Sequence, residues 1–363
     1  MKKLNVEDLK PGMTTIEDVY TLDGKLVLPK GLVLTPKAIV KLDFYAIHAV
    51  KVDDAISASD DSVEEEIPLP SPSQSTKVKS SQAFHEFTES FTASVNTFKN
   101  LFGDVIDESK PLDTVALLED MQPLLHSSTG GQINVFDMLH NMRDYDDLTY
   151  VHCVNVSLIC NTFARWLRLS EEDIETATLC GLLHDIGKIG IPDAIIKKPG
   201  KLTDEEFALV KTHPVKGYHL LLKCAVDEHV QKAALMHHER CDGTGYPLGL
   251  HGDKIDRFAK MVSIADVYDA MTAARVYRGS LCPFEVVDMM EAEGLQKYDV
   301  QYILTFLECV VNTYLLYRVR LSNGIEGDIV FINKQHLSRP IIQTDSEIID
   351  LSVRPELQIL CFV

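Results

Sequence analysis

Positive charge is scarce in this sequence: 35 Lys and Arg stand against 54 Asp and Glu, a formal net charge of −19. A broad basic face that wraps duplex nucleic acid by neutralising its phosphates is thereby excluded. A small phosphate ligand is not, because a few local cations or bound metals outweigh a distant negative field. No run approaches the ~20 consecutive apolar residues that a membrane span requires. The opening MKKLNVEDLKPGM starts with the pair Lys2-Lys3 but has no apolar stretch of a signal peptide behind it. The eight cysteines form no C-x-x-C pair and lie mostly in apolar helical runs. That usage fits buried free thiols in a reducing compartment. No internal repeat is evident. The expectation is a cytoplasmic protein whose 363 residues suffice for two or three domains.

Along the chain the composition changes four times. Residues 1–55 read as a small mixed α/β module. Asp23-Gly24 sits between short apolar runs like a hairpin turn. Thr35-Pro36 pairs an N-cap with Pro at the first helical position and predicts a short helix through Phe44, followed by a strand over Ile47 to Val52. Residues 56–82 are rich in Ser, Pro, Asp and Glu and too poor in large apolar side chains to offset their ordering entropy, so they read as a linker. Residues 83–129 read as a helical connector, in which Phe84, Phe87, Phe91, Phe98, Leu101 and Val105 recur at helical spacing. That stripe either lies on the neighbouring domain or forms a homodimer seam through the 84–105 helix.

Residues 130–312 show helical patterns without strand alternation. Val151, Val154, Leu158, Ile159, Phe163 and Trp166 make one face, and Ser170 with Asp173 and Thr203 with Glu206 have capping-box spacing. Pro283 opens a later helix. From 313 to 363 the pattern turns β-rich, with short runs over Tyr317–Leu321, Asp328–Ile332 and Gln358–Val363 and turn signals at Asn323-Gly324 and Gly327.

Three clusters in the helical region carry chemistry. His184-Asp185 ends the apolar run LCGLLHDIGK, where a carboxylate is costly unless paired or metal-bound. His237-His238 closes another helix, and His213 follows the one that begins near Thr203. Asp266 lies inside the apolar run MVSIADVYDAMTAA with Asp269 one turn later on the same face, better placed as a supporting partner than as a ligand. Imidazoles and carboxylates without a thiolate suit a divalent Fe, Mn, Zn or Ni. Two such ions about 4 Å apart, bridged by a carboxylate, can activate water and stabilise the leaving oxygen of a phosphate ester.

The segments His184-Asp185-Ile186-Gly187-Lys188 and His237-His238-Glu239-Arg240-Cys241-Asp242-Gly243-Thr244-Gly245-Tyr246-Pro247 resemble the two signatures of HD-GYP domains, bacterial HD-superfamily phosphohydrolases that degrade cyclic di-GMP. IGIPDAIIKKPGKLTDEEF, PLGLHGDKI and IADVYDAMTAARVYR extend the likeness over residues 145–312. The resemblance implies an HD-type helical bundle in a mainly α chain, and two divalent metal ions, Fe or Mn ahead of Zn or Ni. One ion would be held by His152, His184, Asp185 and Asp266. Asp185 would bridge to a second, held by His213, His237 and His238. It further implies Lys188 as charge stabiliser or proton donor beside the scissile phosphate, with Asp185 in the catalytic set. Arg275 and Arg278 would grip the ligand's phosphates, and Asp242, Gly243, Gly245, Tyr246 and Pro247 would shape the loop beside it.

The sequence departs from the family at a few points. Leu148 stands where some members place the Glu of a third metal, which implies two metals here; Cys241, Lys260 and Val300 replace the usual Trp, Arg and Pro. The implied activity is hydrolysis of cyclic di-GMP to the linear dinucleotide pGpG, or onward to GMP. The alternatives are an inactive cyclic di-GMP receptor signalling through protein partners and an HD hydrolase for another nucleotide. All seven metal-ligand positions are intact, which favours the enzyme.

Overall fold

The computed structural model describes residues 2–5, 9–10, 12–20, 26–34, 42, 49–53, 78–106, 112–127, 134–142, 148–198, 200, 202–272 and 281–363. It divides into two units, one drawn chiefly from residues 1–71 and the other from 72–274 and 280–363.

The first unit contains β1 (Lys2–Asn5), β2 (Thr14–Thr15), β3 (Val19–Tyr20), β4 (Leu26–Leu28) and β5 (Ala49–Asp53). β5 is the middle strand, antiparallel to both β1 and β2. Val50 and Val52 point inward onto Leu9, Met13, Leu28 and Leu34, whereas Lys51 between them is exposed, the period-two alternation of a half-buried strand. β3 and β4 pair antiparallel, as a hairpin does, although the Asp23-Gly24 turn lies outside the described residues. The helix expected from Thr35 to Phe44 lies outside them too, Leu42 excepted, as does the linker up to residue 77.

The second unit is helical. It runs through α1 (Gln82–Ile106), α2 (Thr114–Ser127), α3 (Val135–Asn141), α4 (Leu148–Trp166), α5 (Glu171–Leu183), a 3-10 turn (Ile186–Gly190), α6 (Asp193–Ile196), α7 (Asp204–Val210), α8 (His213–Lys223), α9 (Glu228–Met236), α10 (Arg257–Thr272), α11 (Pro283–Lys297) and α12 (Val300–Thr313). The chain is thus mainly α with β-strands near both ends. Thr203 and Glu206 close a reciprocal capping box at the start of α7. The Ser170 hydroxyl accepts from the Asp173 amide ahead of α5, and Pro283 occupies the first turn of α11.

α4 is the central helix. Cys153, Val154, Val156, Cys160 and Phe163 are all fully buried, so it is surrounded rather than laid on a surface. All eight cysteines are free thiols. The aromatic stripe of α1 is spent inside the chain: Phe84, Phe87, Phe91 and Phe98 join one core with Leu117, Met121 and Leu124 of α2. That is the packed alternative for these four rings; Leu101 is half-buried, and the Val105 side chain lies outside the described residues. No helix among the described residues is long and apolar enough to cross a membrane.

The C-terminal β-rich segment forms one antiparallel sheet. It comprises β6 (Arg318–Leu321), β7 (Glu326–Phe331), β8 (Ile341–Gln343), β9 (Ile348–Asp350) and β10 (Ile359–Phe362), in the order β10-β6-β7-β8-β9. Gly324 takes φ +87 in the β6–β7 turn, a left-handed conformation that favours glycine. Val319, Leu321, Ile329 and Ile342 sink into the helical core. A buried polar join ties this sheet to α3. The Tyr317 hydroxyl donates to Asp137, which is also the N3 residue of the Asn134 capping box. Burial pushes the Asp137 carboxyl up to about 6, although Tyr317 and the Asn134 amide both work to lower it.

Candidate metal centre

Five segments of the bundle deliver the seven side chains. His152 projects from buried α4, His184 ends α5, and Asp185 leads into the 3-10 turn. His213 begins α8, His237 and His238 end α9, and Asp266 lies midway along α10. Gly187 explains the tightness of the first corner: a Cβ there would lie 2.0 Å from the His213 carbonyl oxygen and 2.5 Å from the Gly217 amide nitrogen. Glycine lets the Asp185 turn press against the helix that starts at His213.

Two overlapping groups of ligand atoms result, each with its atoms within 4.8 Å of one another: Asp185, His213, His237 and His238, and His152, His184 and Asp185. Asp185 faces both. Its Oδ1 is 3.2 Å from His213 Nε2 and 3.7 Å from His237 Nε2, while its Oδ2 is 3.4 Å from His184 Nε2 and 3.9 Å from His152 Nε2. One oxygen per group is the arrangement of a bridging carboxylate. Asp266 stands at the rim, with Oδ1 3.0 Å from His152 Nε2 and Oδ2 3.9 Å from His238 Nδ1.

The hydrogen-bond pattern determines which ring nitrogens are free. His184 Nδ1 faces the Gly181 carbonyl at 2.7 Å, His213 Nδ1 that of Val210 at 2.7 Å, and His237 Nδ1 that of Ala234 at 3.0 Å. A carbonyl oxygen only accepts, so each Nδ1 carries a hydrogen, and in the neutral, ligating form of the ring Nε2 keeps its lone pair. Three bare Nε2 atoms therefore point at one another and at a carboxylate. His213 Nε2 and His237 Nε2 approach to 3.2 Å, while the buried His184 Nε2 and Asp185 Oδ1 have no hydrogen-bond partner. Facing lone pairs in a buried pocket are repulsive, and a divalent cation between them satisfies every one. The residues fit such an ion.

The electrostatics separate His237 and His238 from His152. Burial drives the His237 imidazole down to about 4 and the His238 imidazole lower still, so both are neutral, the ligating form. Burial alone would push the Asp185 and Asp266 carboxyls up. Lys188 and His184 beside Asp185, and His152 beside Asp266, instead hold both well below the usual carboxylate range. Burial pulls His152 down as well, but Asp266 and Asp269 outweigh it and raise the imidazole to about 10, so without a cation both its nitrogens carry hydrogens and Nε2 must release its own to ligate. His152 Nδ1 lies 2.7 Å from Asp269 Oδ2, which aims the opposite nitrogen, Nε2, into the cluster.

Among the other expected site residues, Lys188 is half-buried with its ammonium on Asp185 Oδ2. Burial opposes its charge, yet Asp185 raises its pKa. The Tyr246 ring stacks on His238, centroids 4.6 Å apart. Gly243 adopts φ +81, Gly245 passes close against the chain at Glu239 and Arg240, and Pro247 follows Tyr246 in the same loop. Asp242 is exposed, and its Oδ1 accepts from the Thr244 amide and hydroxyl at 2.9 and 2.6 Å, so it shapes the loop from within. Arg275 and Arg278 lie outside the described residues.

Two contributors escaped the sequence reading. Asn155 Nδ2 donates to Asp269 Oδ1 at 2.9 Å. Its position one helical turn after His152 was the available signal. Glu239, directly after the His pair, is buried and accepts from the Leu248 and Leu250 amides at 2.7 and 2.8 Å.

Comparison with known proteins points to the same family of domains. Residues 133–302 match the family model of the HD domain. A cyclic di-GMP phosphodiesterase of Pseudomonas aeruginosa is 39% identical over 211 residues, 58% of this chain and 51% of that protein. A cyclic di-GMP phosphodiesterase response regulator of Xanthomonas campestris pv. campestris is 44% identical over 34% of this chain and 33% of its own length. A 3'3'-cGAMP-specific phosphodiesterase of Vibrio cholerae is 40% identical over 40% of this chain and 34% of its own. The chain thus spans between about a third and about half of these relatives. The solved structure of an HDG"Y"P protein from Bdellovibrio bacteriovorus shares the fold, with a TM-score of 0.51 at 19% identity over 85% of this chain and 99% of that one.

Proposed function

Residues 133–302 are an HD domain, and on that premise we propose that this chain is a cytoplasmic, metal-dependent phosphodiesterase that hydrolyses cyclic di-GMP to pGpG. The observation that carries the reading is the convergence of His Nε2 atoms on the two oxygens of Asp185, with the opposite nitrogens of His184, His213 and His237 on backbone carbonyls. A relative named for cyclic di-GMP matches 58% of this chain and one named for 3'3'-cGAMP 40%, which favours the guanine dinucleotide.

His152, His184, Asp185 and Asp266 would hold one cation, and Asp185, His213, His237 and His238 a second. Fe or Mn suits this donor set, with Zn or Ni as substitutes. When bound, such a pair supplies an acidified water for in-line attack and positive charge for the phosphate oxygens. The protein's own groups do the rest. Asp185 aligns both halves of the site through one oxygen each. Lys188 holds an ammonium beside that carboxylate, within reach of a phosphate seated over the cluster. From there it offsets developing charge or protonates the departing ribose 3′ oxygen. Asp269 and the backbone carbonyls keep the imidazole hydrogens turned away from the cluster. Tyr246, braced on His238, lines the edge where a base would lie. Arg275 and Arg278 would clamp the phosphates with their guanidinium forks.

The test is turnover of cyclic di-GMP by metal-loaded protein, with Asp185→Ala as control. Hydrolysis to pGpG that Asp185→Ala abolishes supports the enzyme. Tight binding without turnover identifies a receptor. Inactivity on cyclic di-GMP with turnover of 3'3'-cGAMP reassigns the substrate.

A further inference from the structure

Glu239 is a carboxylate placed where it is expensive. It is 2% exposed, directly after His237 and His238, and it forms no ion pair with any described basic residue. A buried carboxylate needs compensation. Here both oxygens find it in one short stretch of backbone, Oε1 accepting from the Leu248 amide at 2.7 Å and Oε2 from the Leu250 amide at 2.8 Å. The same loop is tied down twice more. The Tyr246 amide donates to the His238 carbonyl at 3.2 Å, and Gly245 runs so close that a Cβ would stand 2.4 Å from Glu239 Cα and from the Arg240 amide nitrogen. The outcome is the Tyr246 ring stacked on His238, an imidazole of the ligand cluster.

We propose that Glu239 is a positioning residue: its carboxylate clamps the Tyr246–Leu250 loop to the end of α9 and thereby holds the Tyr246 ring at the edge of the metal cluster, where it sets affinity for the cyclic dinucleotide. The inference rests on the phosphodiesterase reading for its kinetic consequence but not for the clamp itself. Glu239 touches neither the clustered Nε2 atoms nor Asp185, so its loss leaves the metal ligands in place.

Glu239→Gln tests this in the full-length, metal-loaded protein. Glutamine keeps one acceptor oxygen, but its NH₂ opposes the second backbone N–H, so one of the two amides loses its partner. Amide hydrogen exchange at Leu248 or Leu250 should quicken by about tenfold, the usual consequence of one lost charge-assisted bond. Metal stoichiometry should not change. KM for cyclic di-GMP should rise by roughly tenfold with kcat much less affected, the signature of lost binding rather than lost chemistry. The decisive arm is a cycle with Tyr246→Ala. Once Glu239→Gln has freed the loop, removing the ring should add little to KM. Leu248→Pro deletes one donor at an exposed position without touching the carboxylate, and should reproduce the KM change and quicken exchange at Leu250. Unchanged amide protection in Glu239→Gln, or Glu239 and Tyr246 effects that simply add, would overturn the proposal. A wild-type protein that fails to hydrolyse cyclic di-GMP would sink the functional reading instead, and the exchange measurement would still decide the clamp.

Discussion

Replacing Asp269 by Asn removes one negative charge with almost no change of shape, at a side chain that touches no metal position directly. Its consequence can be worked out from two bonds. Asp269 Oδ2 accepts from His152 Nδ1 at 2.7 Å and Oδ1 from Asn155 Nδ2 at 2.9 Å, so both oxygens must be acceptors. An asparagine has only one. If its oxygen faces His152, its NH₂ meets the NH₂ of Asn155, donor against donor, until the Asn155 amide turns over to offer its unpartnered Oδ1, and the negative charge beside His152 is lost either way. If its NH₂ faces His152, the neutral ring that would ligate must carry its one hydrogen on Nε2, which points into the cluster 3.0 Å from Asp266 Oδ1. The lone pair that a cation needs is then gone. Loss of such a supporting carboxylate weakens metal binding by about 10–100-fold, or roughly 1.4–2.7 kcal/mol. Chelator-competition titration of metal-free protein should therefore show one weakened site, that of His152 and His184, with the His213, His237 and His238 site little changed. Equal affinity of wild type and Asp269→Asn at both sites would refute the reasoning.

Other outcomes follow from single contacts. Burial raises the Asp137 carboxyl from its ordinary 3.8 to about 6, so the native state binds the extra proton. The stability this confers is complete below about pH 4 and is lost as pH rises through 6, a swing on the order of 3 kcal/mol. Both of its bonds fall on Oδ2, which an amide oxygen can replace. Asp137→Asn should therefore raise the urea midpoint at pH 8 and flatten its pH dependence, and an unchanged pH profile would contradict this. Gly187→Ala drives a Cβ to 2.0 Å from the His213 carbonyl oxygen and should cost about 1–3 kcal/mol by denaturant titration together with weaker metal binding. Phe91→Ala empties a fully buried site between α1 and α2 and should cost about 3–5 kcal/mol. A loss below about 1 kcal/mol would mean that the stripe does not anchor α1.

What was legible in the sequence follows from where the physics is local. His184-Asp185 and His237-His238 stood out because ionisable side chains at the ends of apolar helices are costly without a partner. Asp266 announced itself in the same way, inside a buried helix. His152 did not: it is one polar residue in the apolar α4, and only the family resemblance singled it out. The helix starts at Thr203 and Pro283 were readable because caps act over three or four residues. β8 and β9 were not, since three residues each are too few to display an alternation. Asn155 and the clamp made by Glu239 were hidden for another reason. Their partners, Asp269 and the amides of Leu248 and Leu250, lie elsewhere in the chain, and only the fold brings them together.

The central claim is a pair of cations sharing Asp185, and anomalous diffraction from crystals of the metal-loaded protein tests it most directly. The account predicts two peaks about 4 Å apart, one among His152, His184 and Asp266 and the other among His213, His237 and His238, with a carboxylate oxygen of Asp185 on each. A single peak that Asp185 does not touch, or none after loading, would contradict it.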